Sequence, residues 1–331
     1  MLKFETNELS VFNVPYFFLE TDSNYIIGEE RLKKLIFFLK DGSFSHMVRL
    51  PAVLNFFYDH FKKNIFVMTP DLKILGYNLK GELIEKARNN VYGSAAARLK
   101  NGYVFYNNFD KLLRDADISY RLYFTDDRFN VLSAAALPYE TVKDIEVTGL
   151  EFSAINDTVI LTDDYSNTVF NILDTGRINV RYAFDLVKRN SQQDITQLST
   201  PDNSVITTEL LDKVKWTRIQ TVQEGKYCYY VEYNKEKYRT FALISKDGKS
   251  SLSAYQNGLA YIGYTGLNSQ YIQGDNLYLF LDKETIAKIL INIAAKKQNN
   301  THFYNKLSDI QKAISTVDNP VMMKISLLPK N

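Results

Sequence analysis

The chain has 331 residues, of which 45% are hydrophobic and 24% are charged, a composition typical of a globular protein with a sizeable core. It carries 40 basic and 38 acidic residues, so its formal net charge is only +2. This balance provides no broad positive field and argues against a nucleic-acid-binding role. The single cysteine, Cys228, excludes an internal disulfide and a cysteine-rich metal site.

Aromatic content and apolar run length narrow the class of structure further. The chain contains 23 tyrosine and 21 phenylalanine residues but one tryptophan, and such side chains fit the half-buried faces of sheets. No run approaches the roughly 18 apolar residues of a membrane-spanning helix, so we expect no transmembrane segment. Residues 1–6 lack an apolar stretch and a small-residue cleavage site, so we expect no signal peptide within this sequence.

Four stretches, taken in chain order, have the pattern of strand–turn–strand units. Their β-branched and aromatic runs are bounded by Asp, Asn, Gly or Pro, as in hairpins. The units cover residues 64–84, 120–132, 158–172 and 227–248, and a further centre lies near Leu279. Radial repetition of such units hides most sheet edges, and six blades would take about 55 residues each.

Two stretches depart from the strand pattern. Residues 210–214 are typical of a short helical turn. Residues 283–314 have apolar side chains at helical spacing and predict a helical insertion, which a closing strand at about 320–328 follows. Because no linker or low-complexity tract interrupts the chain, we predict one domain over residues 1–331.

Four short motifs resemble, in order along the chain, those of a six-bladed β-propeller family abundant in Bacteroides-type bacteria. The first motif is Val-Pro-Tyr-Phe-Phe-Leu-Glu-Thr at 14–21, followed by Tyr-Ile-Ile-Gly-Glu at 25–29. The others are Asn-Thr-Val-Phe-Asn-Ile at 167–172, the run 181–186, and Asp-Asn-Pro-Val-Met-Met-Lys-Ile at 318–325.

The resemblance implies an all-β fold: a six-bladed β-propeller of four-stranded antiparallel blades, with the short helical insertion near the C-terminus. A first strand near residue 14 and a last strand near residue 325 would share one blade and so close the ring. Members of the family look like exported or lipid-anchored envelope proteins of unknown role. The resemblance therefore implies an extracytoplasmic location, either periplasmic or attached to the outer membrane.

No residue pattern indicates a metal or a cofactor. The three histidines, His46, His60 and His302, do not lie at ligand spacing from one another. Cys228 lies in a predicted strand whose neighbouring sequence offers neither an electropositive, accessible setting nor a base, which favours a buried structural thiol over a nucleophile. No phosphate-binding loop or nucleophile elbow is present.

Two acid pairs and the tryptophan have both a structural and a functional interpretation. Asp126-Asp127 and Asp163-Asp164 occupy turn positions, where aspartate is favoured for its own backbone hydrogen bonds. Paired carboxylates also serve glycoside hydrolysis and calcium binding. Trp216 could stack on a sugar or peptide, although a core position is the more common role of tryptophan.

The sequence favours a non-catalytic binding propeller of the bacterial envelope whose ligand is a peptide, a glycan or a partner protein. One alternative is a carbohydrate-active enzyme (a hydrolase, lyase or sugar dehydrogenase), and another is a structural component of an envelope assembly. An enzyme should place two or more carboxylates, or an acid with Arg or Tyr, around one mouth of the propeller channel, with perturbed titration. The sequence nominates no catalytic, cofactor-binding, metal-binding or ligand-binding residue, and it does not predict the oligomeric state.

Overall fold

The computed structural model describes residues 1–13, 15–89, 91, 93, 95–106, 122–135, 152–155, 158–163, 168–174, 176–183, 218–235, 238–248, 251–253, 270–295, 301–315 and 318–326. In these residues, antiparallel strands form six sheets, five of four strands and one of three. Each sheet is a meander in which strands adjacent in the chain pair with one another.

The first three sheets comprise β1 (Phe17–Glu20), β2 (Asn24–Glu29), β3 (Lys34–Leu39) and β4 (Phe44–Arg49); β5 (Asn55–Asp59), β6 (Asn64–Met68), β7 (Lys73–Asn78) and β8 (Leu83–Arg88); and β9 (Ala95–Leu99), β10 (Gly102–Tyr106), β11 (Leu122–Thr125) and β12 (Val131–Ala135).

The next three sheets comprise β13 (Phe152–Ile155), β14 (Thr158–Asp163), β15 (Thr168–Ile172) and β16 (Ile178–Ala183); β17 (Arg218–Glu224), β18 (Cys228–Lys235), β19 (Tyr238–Ser245) and β20 (Ser251–Ser253); and β21 (Gln270–Gln273), β22 (Asn276–Leu281) and β23 (Val321–Ser326). The four predicted hairpins are confirmed by β6–β7, β11–β12, β14–β15 and β18–β19.

Burial decreases from the inner strands to the fourth strand of a sheet. Every residue of β6 is buried, and so is every residue of β10, which explains their continuous apolar runs. The fourth strand β8 is mostly exposed and carries Glu85, Lys86 and Arg88. Charged side chains on such an edge strand discourage pairing with another chain.

The predicted helical insertion is confirmed by α1 (Lys283–Ala295) and α2 (Thr301–Ala313), which lie between β22 and β23. Ile286, Ile289 and Leu290, which lie at helical spacing in the sequence, are all buried in one cluster with residues of β22. The predicted helical turn at residues 210–214 lies outside the described residues.

The third and fourth strands keep the same register in the first two sheets. Lys34 pairs with Arg49 in the first sheet, and Lys73 pairs with Arg88 in the second. The register of each ladder shifts three residues after its lysine, as at a β-bulge. The two sheets therefore offer matched positions at which their side chains can be compared.

The turn before the third strand is also matched between these sheets. Lys33 and Leu72, each immediately before its strand, adopt positive φ angles of 52° and 60°. The carbonyl of Lys33 accepts the N–H of Leu50 at 2.7 Å, and that of Leu72 accepts the N–H of Asn89 at 2.7 Å. Leu50 and Asn89 each follow the last residue of their fourth strand, so the two connections align residue by residue.

The N-terminus pairs with the last strand, although not as the sequence predicted. The backbone N–H of Leu2 donates to the carbonyl of Met322 at 2.8 Å, and the N–H of Met322 donates to the carbonyl of Leu2 at 2.9 Å. The prediction that a strand near residue 14 shares a blade with the last strand is wrong, because β1 and β23 belong to different sheets. The short motif at 14–21 has the apolar character of any inner strand, so it did not indicate which strand it pairs with.

Asn319 fastens the segment that follows Leu2, residues 5–12, which we call the N-terminal arm. Its Oδ1 accepts the N–H of Phe12 at 2.9 Å, and its Nδ2 donates to the carbonyls of Glu5 at 2.9 Å and Ser10 at 3.2 Å. Its own N–H donates to Thr6 Oγ1 at 2.9 Å. Since Asn319 is only 1% exposed, these bonds satisfy groups that water does not reach.

Aromatic packing holds the same segment from the other side. The rings of Phe4 and Phe12 are buried, with centroids 5.8 Å apart in an edge-to-face arrangement. Phe4 also packs on Phe38 of β3 at 4.6 Å and stacks on Phe280 of β22 at 6.2 Å. The N-terminal residues therefore belong to the core around β3 and β22.

The chain divides into two compact units by its internal contacts. The first comprises Met1–Ala52, Gln223–Val231 and Arg239–Asn331, and the second comprises Val53–Val222 and Glu232–Tyr238. The first unit contains the aromatic core at the N-terminal arm and the core beneath α1 and α2. The second contains two cores, one centred on β9, β10 and β14 and the other on β6 and β10.

We expect Asn319→Ala to lower the free energy of unfolding by about 3 kcal/mol, because it leaves buried backbone groups of the arm without their partner. Thermal or urea unfolding followed by circular dichroism measures this loss. Asn13→Ala, at an exposed asparagine next to the arm, is the control and should change stability by less than about 0.5 kcal/mol. Equal effects of the two substitutions would contradict the role of Asn319.

Candidate functional site

A buried cluster of Asp59, Arg98 and Tyr103 has the residue types expected of an enzyme. Tyr103 Oη donates to Asp59 Oδ2 at 2.9 Å, and Arg98 Nε lies 3.6 Å from the same oxygen. The Arg98 guanidinium also contacts Asp127 and lies 4.8 Å above the Tyr103 ring centroid. Acid, tyrosine and arginine thus meet at one point of the second unit.

The burial of this cluster argues against a catalytic role. Asp59 and Tyr103 are fully buried and Arg98 is 7% exposed, so a substrate has no route to the reacting atoms. Burial, reinforced by the Asp59 carboxylate, raises the pKa of the Tyr103 hydroxyl and keeps its proton in place. Asp59 Oδ1 also accepts the N–H groups of Phe61 and Lys62, both at 2.9 Å. We interpret the cluster as a polar link between β5 and β10.

A second charged cluster surrounds Glu20 in the first unit. Its carboxylate accepts from Lys40 at 2.7 Å, from Lys324 at 2.9 Å and from the Tyr278 hydroxyl. Burial by itself raises the pKa of Glu20, but the hydrogen bonds from Lys40, Tyr278 and Lys324 outweigh it and lower that pKa to about 2. The carboxylate is therefore ionised and already fully engaged within the protein.

The Glu20 arrangement recurs in the fifth sheet. Glu224 ends β17 as Glu20 ends β1, and it accepts from Lys246 at 2.5 Å. Lys246 lies 5.4 Å above the Tyr229 ring, and Lys40 lies 4.5 Å above the ring of Tyr25. In both sheets an acid ends the first strand, an aromatic ring lies in the second and a lysine directly follows the third. Because this arrangement recurs in two sheets, we interpret both clusters as structural.

A pocket lies between the N-terminal arm and one end of the first sheet. Its volume is about 390 Å³, within the range of small-ligand sites. The lining residues come from the arm, the turn between β2 and β3, and the end of β4: Glu8, Leu9, Val11, Leu32, Lys33, Lys34, Met47, Arg49 and Leu50. Aliphatic side chains thus share the wall with three cations and one acid.

Lys34 is the buried charge of this pocket. It is 6% exposed, and its Nζ donates to the backbone carbonyl of Leu9 at 3.0 Å. The matched Lys73 of the second sheet is exposed, and its Nζ lies 2.5 Å from a carboxylate oxygen of Asp71 in its own turn. The N-terminal arm therefore encloses at Lys34 a position that is open to solvent at Lys73.

The titration of the groups around Lys34 reflects the same burial. Burial lowers the pKa of the Lys34 ammonium, and the Glu29 carboxylate, opposite it in the strand pair, partly opposes that shift. Burial also raises the pKa of Glu29, outweighing the opposing effects of Arg31 and Lys34. Glu29 and Lys34 thus each shift the pKa of the other. Such mutual shifts of pKa are frequent at functional sites.

The residues weighed for metal or nucleophilic chemistry are in structural settings. His46 stacks on Phe37 with ring centroids 4.3 Å apart, and His60 packs against Phe61. Cys228 is a buried free thiol, and burial raises its pKa, the opposite of what a nucleophile needs. Within the described part of the chain, no three His, Cys, Asp or Glu side chains are grouped as a metal site. The side chain of His302 lies outside the described residues.

The turn interpretation of the acid pairs holds where it can be followed. The Asp126 carboxylate accepts the backbone N–H groups of Arg128 and Asn130, both at 2.8 Å, as in an Asx turn. Asp127 points instead to Arg98. The side chain of Asp163 is outside the described part, as are Asp164 and Trp216.

The family model described as a six-bladed β-propeller, DUF5128, matches residues 2–272 of the chain. The chain belongs to this family. The predicted six-bladed β-propeller of antiparallel sheets, with a helical insertion near the C-terminus, is thereby confirmed. Within the described residues the sixth blade has three strands, with Leu2 paired to its last strand.

Solved structures have the same fold as this propeller. A protein from Bacteroides fragilis described as exported is 18% identical, with a TM-score of 0.78 over 97% of this chain and 92% of that one. A member of the DUF4221 family from Bacteroides vulgatus is 10% identical, with a TM-score of 0.59 over 98% and 96%. A search of curated proteins finds no significant match. None of the propeller's described helices is long and apolar enough to cross a bilayer.

Sequence reasoning missed the pocket because its walls are distant in the chain. Leu9 and Lys34 are in no shared motif, and the arm is held by Asn319, more than 300 residues away. The local sequence offers only Leu32 followed by two lysines, a pattern that does not by itself indicate a pocket. The motif at 318–325, which identified the last strand, contained Asn319 without indicating what it binds.

We expect the free energy of unfolding to depend on pH through Glu20. Its pKa is lower in the folded protein, about 2, than the usual 4.5, so the stabilisation is complete above pH 4.5 and is lost as the pH falls towards 2. Glu20→Gln should cost roughly 2 kcal/mol at pH 7 and progressively less below pH 4.5.

Denaturant unfolding of both proteins between pH 2.5 and pH 7 measures this difference. Asp22→Asn, at an exposed acid two residues after Glu20 in the chain, is the control for the general loss of negative charge. A gap between the wild type and Glu20→Gln that stays constant across this range would contradict the assignment.

Proposed function

We propose that residues 1–331 form one non-catalytic binding propeller whose ligand occupies the pocket beneath the N-terminal arm. The observation that carries this proposal is the open pocket of about 390 Å³ with a buried lysine in its wall. Burying a charge costs free energy unless it is paired. A buried lysine facing a cavity is therefore more readily explained by ligand binding than by stability.

The chemistry of the lining favours a peptide over a glycan. Its apolar members are all aliphatic: Leu9, Val11, Leu32, Met47 and Leu50. Sugar rings are commonly bound against aromatic faces, and this lining offers none. Aliphatic walls with a few charged groups suit the side chains and terminal groups of a peptide.

The same lining disfavours the enzymatic alternative at this site. Among the described residues that line it, Glu8 is the only acid, and it is exposed. Acid–base hydrolysis of a glycoside requires two carboxylates around the scissile bond. The cluster that does combine an acid, Tyr and Arg is closed to solvent, as described above for Asp59.

An extracytoplasmic location in the cell envelope completes the proposal. It is supported by the sequence motifs and by the likeness to the Bacteroides fragilis protein described as exported. A balanced net charge of +2 gives no support for a nucleic-acid partner. Envelope peptides, either free or as segments of partner proteins, are the ligands that such a propeller would meet.

A binding screen tests the proposal directly. We expect members of a random hexapeptide library, and not of an oligosaccharide panel, to raise the melting temperature and to bind by isothermal titration calorimetry. A ligand at a hundredfold excess over its Kd stabilises the folded state by about 2.7 kcal/mol.

Matched substitutions locate the site. Leu32→Gln should weaken peptide binding at least fivefold, because it removes an aliphatic wall of the pocket. Leu39→Gln is the control, since both leucines are 45% exposed and Leu39 lies at the opposite end of β3. Binding of oligosaccharides alone, or equal weakening by both substitutions, would overturn the proposal.

A further inference from the structure

The two matched turns differ at the position that supplies a partner to the lysine. Alignment of the connections places Lys33 with Leu72 and Lys34 with Lys73, so Leu32 aligns with Asp71. In the second sheet, Asp71 provides the carboxylate for Lys73 at 2.5 Å. In the first sheet, the same position holds an aliphatic side chain that faces the pocket.

The replacement leaves the first sheet with a lysine and without a carboxylate at this position of the turn. The Leu9 carbonyl accepts one hydrogen bond from Lys34, whose ammonium has three N–H donors. A neutral carbonyl does not neutralise the ammonium charge, whereas a carboxylate does. Glu29, opposite Lys34 in the strand pair, raises the pKa of the Lys34 ammonium but does not offset the larger lowering caused by burial.

The charges on the rim also attract an anion. Arg49 is the direct cross-strand neighbour of Lys34, and Lys33 precedes it in the turn. Together they bring three positive charges to the lining, against one negative charge on Glu8. This local excess contrasts with the nearly neutral chain, so it is a property of the site and not of the whole surface.

We infer that the pocket binds a peptide through one carboxylate and one adjacent aliphatic side chain. The carboxylate pairs with Lys34 as Asp71 pairs with Lys73 in the second sheet, and the aliphatic side chain packs on Leu32. This inference rests on the proposed function and specifies its ligand. The carboxylate is either the C-terminus of the peptide or an aspartate or glutamate side chain, since the two present the same group.

Three short probes test the recognition of a carboxylate by calorimetry. N-acetyl-Ala-Ala-Leu with a free C-terminal carboxylate is compared with its C-terminal amide. N-acetyl-Ala-Glu-Leu amide presents the carboxylate on a side chain instead. We expect one of the two carboxylate-bearing peptides to bind at least tenfold more tightly than the neutral amide, and which of them does so identifies the source of the carboxylate.

Substitution of Leu32 by Asp or Asn separates charge from shape. Both variants lose the aliphatic contact, but only Leu32→Asp rebuilds the carboxylate that Asp71 supplies in the second sheet. Binding of the carboxylate peptide should therefore fall at least tenfold further in Leu32→Asp than in Leu32→Asn. Leu32 is 45% exposed, so both variants are expected to fold, as circular dichroism can verify.

Arg49→Met gives an independent measure of the rim charge, because Arg49 is exposed and its loss should leave the fold intact. We expect it to weaken binding of the carboxylate peptide three- to tenfold. Arg88→Met is its control, at the same register position of the second sheet. Equal effects of the two substitutions would contradict the inference.

The outcomes distinguish failure of the inference from failure of the proposed function. Equal binding of acid and amide, or equally tight binding of C-terminally amidated hexapeptides without Asp or Glu, would overturn the inference while leaving a peptide-binding pocket. Tighter binding of octanoate than of either peptide would replace the peptide by a fatty acid. Absence of any peptide hit in the hexapeptide screen would overturn both.

Discussion

The hydrogen bonds of Asn319 are the constraint on which the rest of the first unit depends. The buried side-chain amide of Asn319 bonds to the backbone of the arm at Glu5, Ser10 and Phe12, and Met322, which pairs with Leu2, follows it by three residues. Without the bonds of Asn319, the Leu2–Met322 pairing, the Lys3–Asp318 ion pair and aromatic packing would remain, but the buried groups of the arm would lose their partner. A buried amide fixes direction as well as position, because donors and acceptors must both match.

The pocket is a consequence of this attachment. Val11 lies between Ser10 and Phe12, the two arm residues whose backbone is bonded to Asn319, and Leu9 accepts from Lys34. The arm is thus anchored to the last sheet on one side and to the first sheet on the other. Lys73 shows what the same sheet position looks like without an arm: exposed and paired within its own turn. The repeated sheet geometry places a lysine at this position in both sheets, and the arm buries the lysine of the first sheet, Lys34.

The charged clusters illustrate why residue types alone do not identify a site. Asp59 with Tyr103 and Arg98 fits the description of an active centre, yet burial makes it inaccessible. Glu20 has a strongly lowered pKa, but its partners are all within the protein. Burial of the Asp59 cluster and the internal ion pairs of Glu20, which only the structure reveals, separate these clusters from the pocket.

The sequence predicted the hairpins and the helical insertion well, because both depend on local periodicity and turn residues. Ile286 and Ile289 are buried as their spacing indicates, and Asp126 makes the backbone bonds that aspartate makes in turns. The sequence did not predict how the ring of blades closes, because the last strand pairs with Leu2 and not with the motif near residue 14. Antiparallel pairing between chain ends leaves no local pattern, so neither that contact nor the pocket could be predicted.

The most direct test of this account is hydrogen exchange at the backbone amide of Phe12, measured by NMR under native conditions. If Asn319 holds the arm, this amide should exchange at least a thousandfold more slowly than an unstructured amide, because it opens only with the surrounding core. It should also lose most of that protection in Asn319→Ala. Exchange in the wild type at the rate of an exposed loop would show that the arm is not fastened, and the pocket would then lose its wall.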